Sequence, residues 1–361
     1  MMALRTLVGV SVSLVGVLLS LVGVSLSHAS VASQLQIPVQ RLLGQRIMVS
    51  MQGTSASAGL LQQIEAGQVG SVVLYAYNIA SAAQVRSLTS SLQRAARRGD
   101  NPPLLIAVDQ EGGEVKRFPD GPPSLSALQI GRTGSTAVAT QQGAATGRYL
   151  KSLGINMDLA PVADVPTTPS AFIWQQQRAF SFSASAVARY ATAFVRGLQS
   201  AGVAATGKHF PGLGSAVVTP DNAQIELRPT GSQLQAALTP FRAMISGGID
   251  AVMVTTAGFP AYDRSGESAA LSPAIVTGLL RDKLHFGGVA ITDALWTPTA
   301  HDELAAGILA ARAGEDIMIY WQQDQGVLAS LEHALGPGTT SRAQALISYE
   351  RIVSLKRAVA G

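Results

Sequence analysis

The sequence predicts a single (β/α)8 TIM-type barrel, and three observations carry that reading. Eight short apolar runs recur between residues 46 and 320, helix-like windows separate them, and charged or polar residues gather where the runs end. The runs lack the strict apolar/polar alternation of a half-exposed sheet, so they suit parallel strands covered by helices. A doubly wound open sheet is the runner-up. No G-x-G-x-x-G follows the first strand, which weakens it.

Taken in order, the expected strands are "RIMVSM" (46–51), "GSVVLYA" (70–76), "PLLIAVD" (103–109), "INMDLAPV" (155–162), "AATGKHF" (204–210), "IDAVMVTT" (249–256), "GVAITD" (288–293) and "DIMIY" (316–320). Windows with apolar residues near the helical period lie between them, at 81–98, 136–154, 183–202 and 232–248. The stretch after 321 reads as closing helices, leaving one barrel domain over 36–361 and no room for a second full domain.

The first 29 residues are a different material. Three heptads, "LVGVSVS", "LVGVLLS" and "LVGVSLS", run uncharged from 7 to 27 and end in "SHA". A positive start, an apolar stretch and small residues at Ser27 and Ala29 suit a cleaved secretory signal. A retained anchor also fits, because the run approaches the ~20 residues that span a bilayer and its Gly and Ser residues share one helix face. Both readings place the folded part outside the cytoplasm, secreted or tethered to a membrane by this segment alone. The chain has no Cys, which excludes disulfides, thiolate zinc sites and cysteine nucleophiles, and suits bacterial rather than eukaryotic secretion. Its five His form no H-x-x-x-H pair, so no metal site is expected. The net charge of +4 is scattered, without a basic run interleaved with aromatics, so nucleic acid is not an expected partner.

Function in a barrel sits at the C-terminal strand ends. Asp109 ends the third expected strand; Asn156, Asp158 and Asp164 lie in or after the fourth; Lys208 and His209 end the fifth, Thr255 and Thr256 the sixth, Asp293 the seventh. Charges there are expensive unless paired with each other or with a ligand. Plainer readings stand beside the functional one. Asp293 could cap a helix, Asn156 and Asp158 could hold loops, and Glu111 could pair with Arg117 inside one loop. Gly112 and Gly113 would let backbone approach a ligand closely. Several Asp with one Lys, one His and Arg suit a hydroxyl-rich ligand, and a carboxylate can attack an anomeric carbon.

Seven segments resemble one family: "DQEGGEVKRF" (109–118), "GINMDLAPVADV" (154–165), "RAFS" (178–181), "KHFPGLG" (208–214), "IDAVMVTTAGFPAYD" (249–263), "LLRDKLHFGGVAITDAL" (279–295) and "RAGEDIMIY" (312–320). Together they look like the barrel domain of glycoside hydrolase family 3, in its single-domain bacterial β-N-acetylglucosaminidase branch, over about residues 40–355. The resemblance implies a glycosidase that needs no metal or organic cofactor. It also implies Asp293 as nucleophile, with Asp109, Arg117, Arg178, Lys208 and His209 gripping the sugar hydroxyls. Cell-wall fragments are the carbohydrate partner it suggests.

One stretch departs from that pattern. The branch reads K-H-F-P-G-H-G-D-x-x-x-D-S-H, its last Asp and His forming the general acid/base pair. Here Leu213, Ser215, Thr219 and Asp221 occupy the columns of the first His, first Asp, dyad Asp and dyad His. Tyr77 replaces the Arg of the branch's L-F-x-R-N. Three mechanisms stay open: Asp221 as acid, if burial or a neighbouring carboxylate raises its pKa; Glu226 as acid, if its loop folds inward; or no internal acid. Three functions stay open with them: a glycosidase acting on terminal β-linked sugars, a non-catalytic sugar-binding barrel, and a membrane-anchored scaffold with a vestigial pocket.

Overall fold

The computed structural model describes residues 37–297, 302–321, 325–336 and 340–360. The signal or anchor expected at 1–29 lies outside them. Among the described residues no helix is long and apolar enough to cross a membrane.

Eight parallel strands close into a barrel in chain order: β1 Ile47–Val49, β2 Ser71–Leu74, β3 Leu105–Val108, β4 Met157–Asp158, β5 Ala204–Phe210, β6 Ala251–Val254, β7 Val289–Ala294 and β8 Ile317–Tyr320. The ring closes between β1 and β8, where Ile47 pairs with Met318 and Val49 with Tyr320. Each strand falls in an expected run, except that β7 extends one residue beyond its own. β4 is much shorter than its run because Pro161 has no N–H to give a ladder; beyond it only Val162 bridges to Lys208 on β5.

Alternate residues fill the interior, as the two-residue period of a strand requires: Met48, Val73, Leu105, Ala107, Met157, Ala204, Met253, Ile291 and Ile319 are buried together. The opposite strand faces pack on helices that begin at hydroxyl caps, as where Ser81, Ser135, Ser183 and Thr230 each accept a first-turn N–H. The N-terminal end of the barrel is plugged by helix Arg342–Val359, whose Ile352, Leu355 and Val359 join the interior cluster. Polar ties fix that plug. Lys356 Nζ donates to Gln45 Oε1 at 2.5 Å and to Gly70 O at 2.6 Å, while Arg351 and Arg281 both grip buried Asp316. With one end sealed by apolar packing, the other is left for chemistry.

Candidate active site

At the C-terminal strand ends lies a cavity of about 280 Å³. Asp109, Arg117, Arg178, Lys208, His209, Asp221 and Asp293 all line it.

The clamp is built around Lys208. Its Nζ lies 2.7 Å from Asp109 Oδ1 and 2.7 Å from Glu111 Oε1, all three side chains buried. Arg178 braces Glu111 from the other side, Nε to Oε2 at 2.6 Å and Nη2 to Oε1 at 3.0 Å, a bidentate pair. Arg117 Nη2 donates to Asp109 Oδ2 at 3.1 Å. Burial alone would raise Asp109 and Glu111. Lys208 with Arg117, and Arg178 with Lys208, overcome it and hold both carboxyls below their usual range. Burial alone would lower Lys208, and the same two carboxylates reverse that. The cluster stays charged near neutral pH.

Glu111 does not pair with Arg117, contrary to the sequence reading. Residues 110–112 and 115–116 form a two-stranded antiparallel ribbon in which Gln110 faces Lys116, so Asp109 falls opposite Arg117 and the two pair across the ribbon. Gly112 and Gly113 do not serve a ligand either. Both have positive φ (88° and 65°), and a Cβ would sit 2.9 Å from Leu125 O in one case and 2.9 Å from Gln176 O in the other. They let this loop press against its neighbours, which brings Glu111 within reach of Arg178.

His209 is held at both ring nitrogens. Nδ1 lies 2.7 Å from Asp164 Oδ2 and Nε2 lies 3.4 Å from Arg178 Nη2. Arg178 can only donate, so in the neutral ring Nε2 accepts and Nδ1 carries the proton toward Asp164. Asp164 Oδ1 also accepts from the His209 and Leu213 backbone N–H groups. Asp164 and Glu111, absent from the expected set of site residues, therefore position it.

Asp293 sits at the end of β7, partly exposed in the pocket, its Oδ1 accepting from Ala294 N at 2.8 Å. Among the described residues it caps no helix; the next helix there, Glu303–Ala313, is capped by Asp302. Burial and the charge of Asp221 push its carboxyl up, against the pull of His209 and Lys208. Asp221 stands on the exposed rim, with its Oδ2 accepting from the Thr219 hydroxyl at 2.9 Å. The burial that would favour Asp221 as acid is absent, and the carboxylate it faces across the cavity is Asp293. Glu226 points elsewhere, exposed and paired with Arg228, and does not line the cavity.

Asn156 is structural, accepting from Ile106 N and donating to Leu104 O; Thr255 and Thr256 are buried beside the pocket and do not line it. Asp158 is fully buried, with Oδ1 accepting from Gln110 N and Oδ2 without a partner. Burial pushes its carboxyl up to about 8. The unfolded chain then releases this proton near pH 4 while the folded chain keeps it, so stability falls as pH rises from about 4 to 8. Asp158→Asn removes that loss and gains on wild type by on the order of 3 kcal/mol between pH 5 and pH 8, measured by denaturant unfolding at both values.

The other wall is aromatic. Tyr75, Trp296 and Trp321 line the cavity mouth, with Tyr77 stacked on Tyr75 at 5.8 Å and Trp296 packed on Trp321 at 5.0 Å. Arg117 ties this wall to the clamp, its guanidinium 5.5 Å from the Tyr75 ring centre.

A closed barrel with a charged, concave pocket at its C-terminal strand ends is the architecture of a TIM-barrel enzyme. Within that class the chain belongs to glycosyl hydrolase family 3: the model of the "Glycosyl hydrolase family 3 N terminal domain" matches residues 39–355. A β-hexosaminidase of Stenotrophomonas maltophilia (strain R551-3) is 34% identical over 287 residues, 76% of this chain and 82% of the relative. An uncharacterized secreted glycosyl hydrolase of Arthroderma benhamiae is 31% identical over 340 residues, 91% of this chain and 95% of the relative. The solved family 3 β-N-acetylglucosaminidase of Paenibacillus superposes with a TM-score of 0.85 at 34% identity, covering 90% of this chain. This chain spans 63% of that longer protein.

Proposed function

We propose that this protein hydrolyses terminal β-linked N-acetylhexosamine residues with retention, through a glycosyl ester on Asp293. The observation that carries this reading is the convergence of Asp293 with the clamp of Asp109, Lys208, Arg178, His209 and Arg117 in one small cavity. Lys208, Arg178 and Arg117 donate to hydroxyl oxygens, Asp109 accepts from hydroxyl groups, and Asp293, at the end of β7, carries no ion pair with the clamp. The names of the hexosaminidase and acetylglucosaminidase relatives support the choice of sugar. At about 280 Å³ the cavity lies just below the ~300–1,000 Å³ usual for ligand sites, which favours one terminal sugar over a threaded polymer.

Asp221 is the acid/base group of this reading, on the strength of its place beside Asp293. The second reading is a sugar-binding barrel without turnover, which the exposure of Asp221 favours. Residues 1–29 are an export signal or anchor and 36–361 the barrel domain, giving an extracytoplasmic protein that meets cell-wall fragments; a relative described as secreted supports this.

Asp221→Ala on an aryl N-acetylglucosaminide tests both. General acid/base help is worth about 10² to 10⁴, so turnover falls into that range, and added azide restores it with β-glycosyl azide as product. Wild-type turnover in the variant rules out Asp221, and no turnover by wild type on any aryl glycoside leaves only the binder.

A further inference from the structure

A second cavity lies at the other end of the barrel, where the strands begin and the closing helix Arg342–Val359 is seated. Its volume is about 560 Å³, inside the ~300–1,000 Å³ usual for ligand sites. Three arginines far apart in the sequence line it: Arg46 just ahead of β1, Arg281 on helix Ala274–Lys283, and Arg351 on the closing helix. None of them lines the cavity around Asp293.

Protein groups hold these guanidiniums without using all their donors. Arg46 donates to Glu315 O at 2.7 Å and to Asp316 O at 3.4 Å, and Arg281 donates to Phe286 O, Gly288 O and Asp316 Oδ2. Arg46 Nη1 and Arg281 Nε are nevertheless buried with no partner. Arg351 makes one long contact, Nη1 to Asp316 Oδ1 at 3.3 Å, and is the most exposed of the three. Buried donors are ordinarily met by an acceptor, an ion or water, and the charge balance decides between them. Asp316 is the carboxylate that Arg281 and Arg351 share. Glu315 does not add to it, because burial pushes its carboxyl well above the ordinary range, toward the neutral form, and neither of its oxygens has a partner. Three cations thus face buried Asp316 and, on the rim, exposed Asp282. The surplus is positive, which favours an anion over water.

A neighbouring cavity of about 460 Å³ shares the wall of Gly287, Ile347 and Arg351. Ile249, Val289 and Leu355 give it a carbon lining, while Asp250 and Glu350 keep an anionic head on the arginine side. An oxyanion alone would fill little of this space. A phosphoryl group offers three strong acceptor oxygens and nearly two charges, which suits guanidiniums from three elements; a carboxylate offers one charge, which a single arginine fork satisfies.

We infer that this site binds a phosphate monoester, its phosphoryl group between Arg351, Arg281 and Arg46 and its apolar organic part in the neighbouring cavity. Arg351 turns to it most readily, having one long bond to give up. This binding is independent of the chemistry at Asp293.

Isothermal titration of the full chain at constant ionic strength compares hexyl phosphate, inorganic phosphate and hexanoate. Hexyl phosphate is expected to bind one to one, at least about tenfold tighter than inorganic phosphate, which lacks the chain, or hexanoate, which lacks the second charge. Arg351→Met is expected to weaken hexyl phosphate at least about tenfold, the scale of one hydrogen bond between charged groups. Gly287→Glu decides the matter where that variant fails to fold: a Cβ at 287 meets nothing within 4 Å, so the change is tolerated and sets a carboxylate on the wall both cavities share. It is expected to weaken binding by at least as much, with Gly287→Ala unchanged. Full affinity in Gly287→Glu puts the phosphate elsewhere and overturns the proposal, as does the absence of saturable binding. Hexanoate or inorganic phosphate bound as tightly as hexyl phosphate overturns the assignment to a monoester.

Discussion

Asp293→Asn is expected to lower kcat/KM on a phenyl glycoside by at least about 10⁴, or ~5 kcal/mol of transition-state stabilisation. The amide oxygen still accepts from Ala294 N, so the strand end keeps its shape. What is lost is the negative charge that forms the ester. The melting temperature is expected to hold or rise, because the variant no longer buries a carboxyl that burial and Asp221 push up. Activity and melting temperature measured on one preparation separate lost chemistry from lost folding. A variant retaining more than about a hundredth of wild-type activity would assign the nucleophile elsewhere.

The second large effect is on stability. Lys208→Met strips the shared cation from Asp109 and Glu111, leaving two buried carboxylates side by side. Breaking a buried ion pair from one side costs about 3–5 kcal/mol, and Arg117 and Arg178 compensate only their own partners. The sign of the pH dependence follows. With Lys208, both carboxyls are held down and their stabilisation is present above the usual carboxylate pKa. Without it their folded pKa values rise, so the penalty is small near pH 4 and grows toward pH 7. Urea unfolding at those two pH values reads this out, and a deficit independent of pH would mean that the lysine contributes packing alone.

Much of this architecture is legible in the sequence, for physical reasons. Buried parallel strands must be apolar on both faces, so "PLLIAVD" and "IDAVMVTT" announce themselves without an alignment. Polar residues at strand tips are equally visible, which is why Asp109, Lys208, His209 and Asp293 can be picked out. Pairing is not legible. Glu111 and Arg117 are six residues apart and read as partners, yet Glu111 meets Arg178 and Lys208, which only barrel closure brings near. The ribbon register decides the matter, and a register of so few residues leaves almost no trace in composition. The role of Asp164 is hidden in the same way, since its value lies in holding a ring forty-five residues on. Tyr75, Trp296 and Trp321 come from three strand ends and form a surface only once the ring is closed.

The plug at the far end of the barrel bears on when this chain can fold. β1 finds its last partner only when β8 arrives, and Ile352, Leu355 and Val359 complete the interior later still. A nascent chain therefore carries an unfinished, long-range core until residue 359 has emerged, and contacts of such sequence separation form slowly. The interior of such a barrel is therefore finished last, by a helix rather than by a strand.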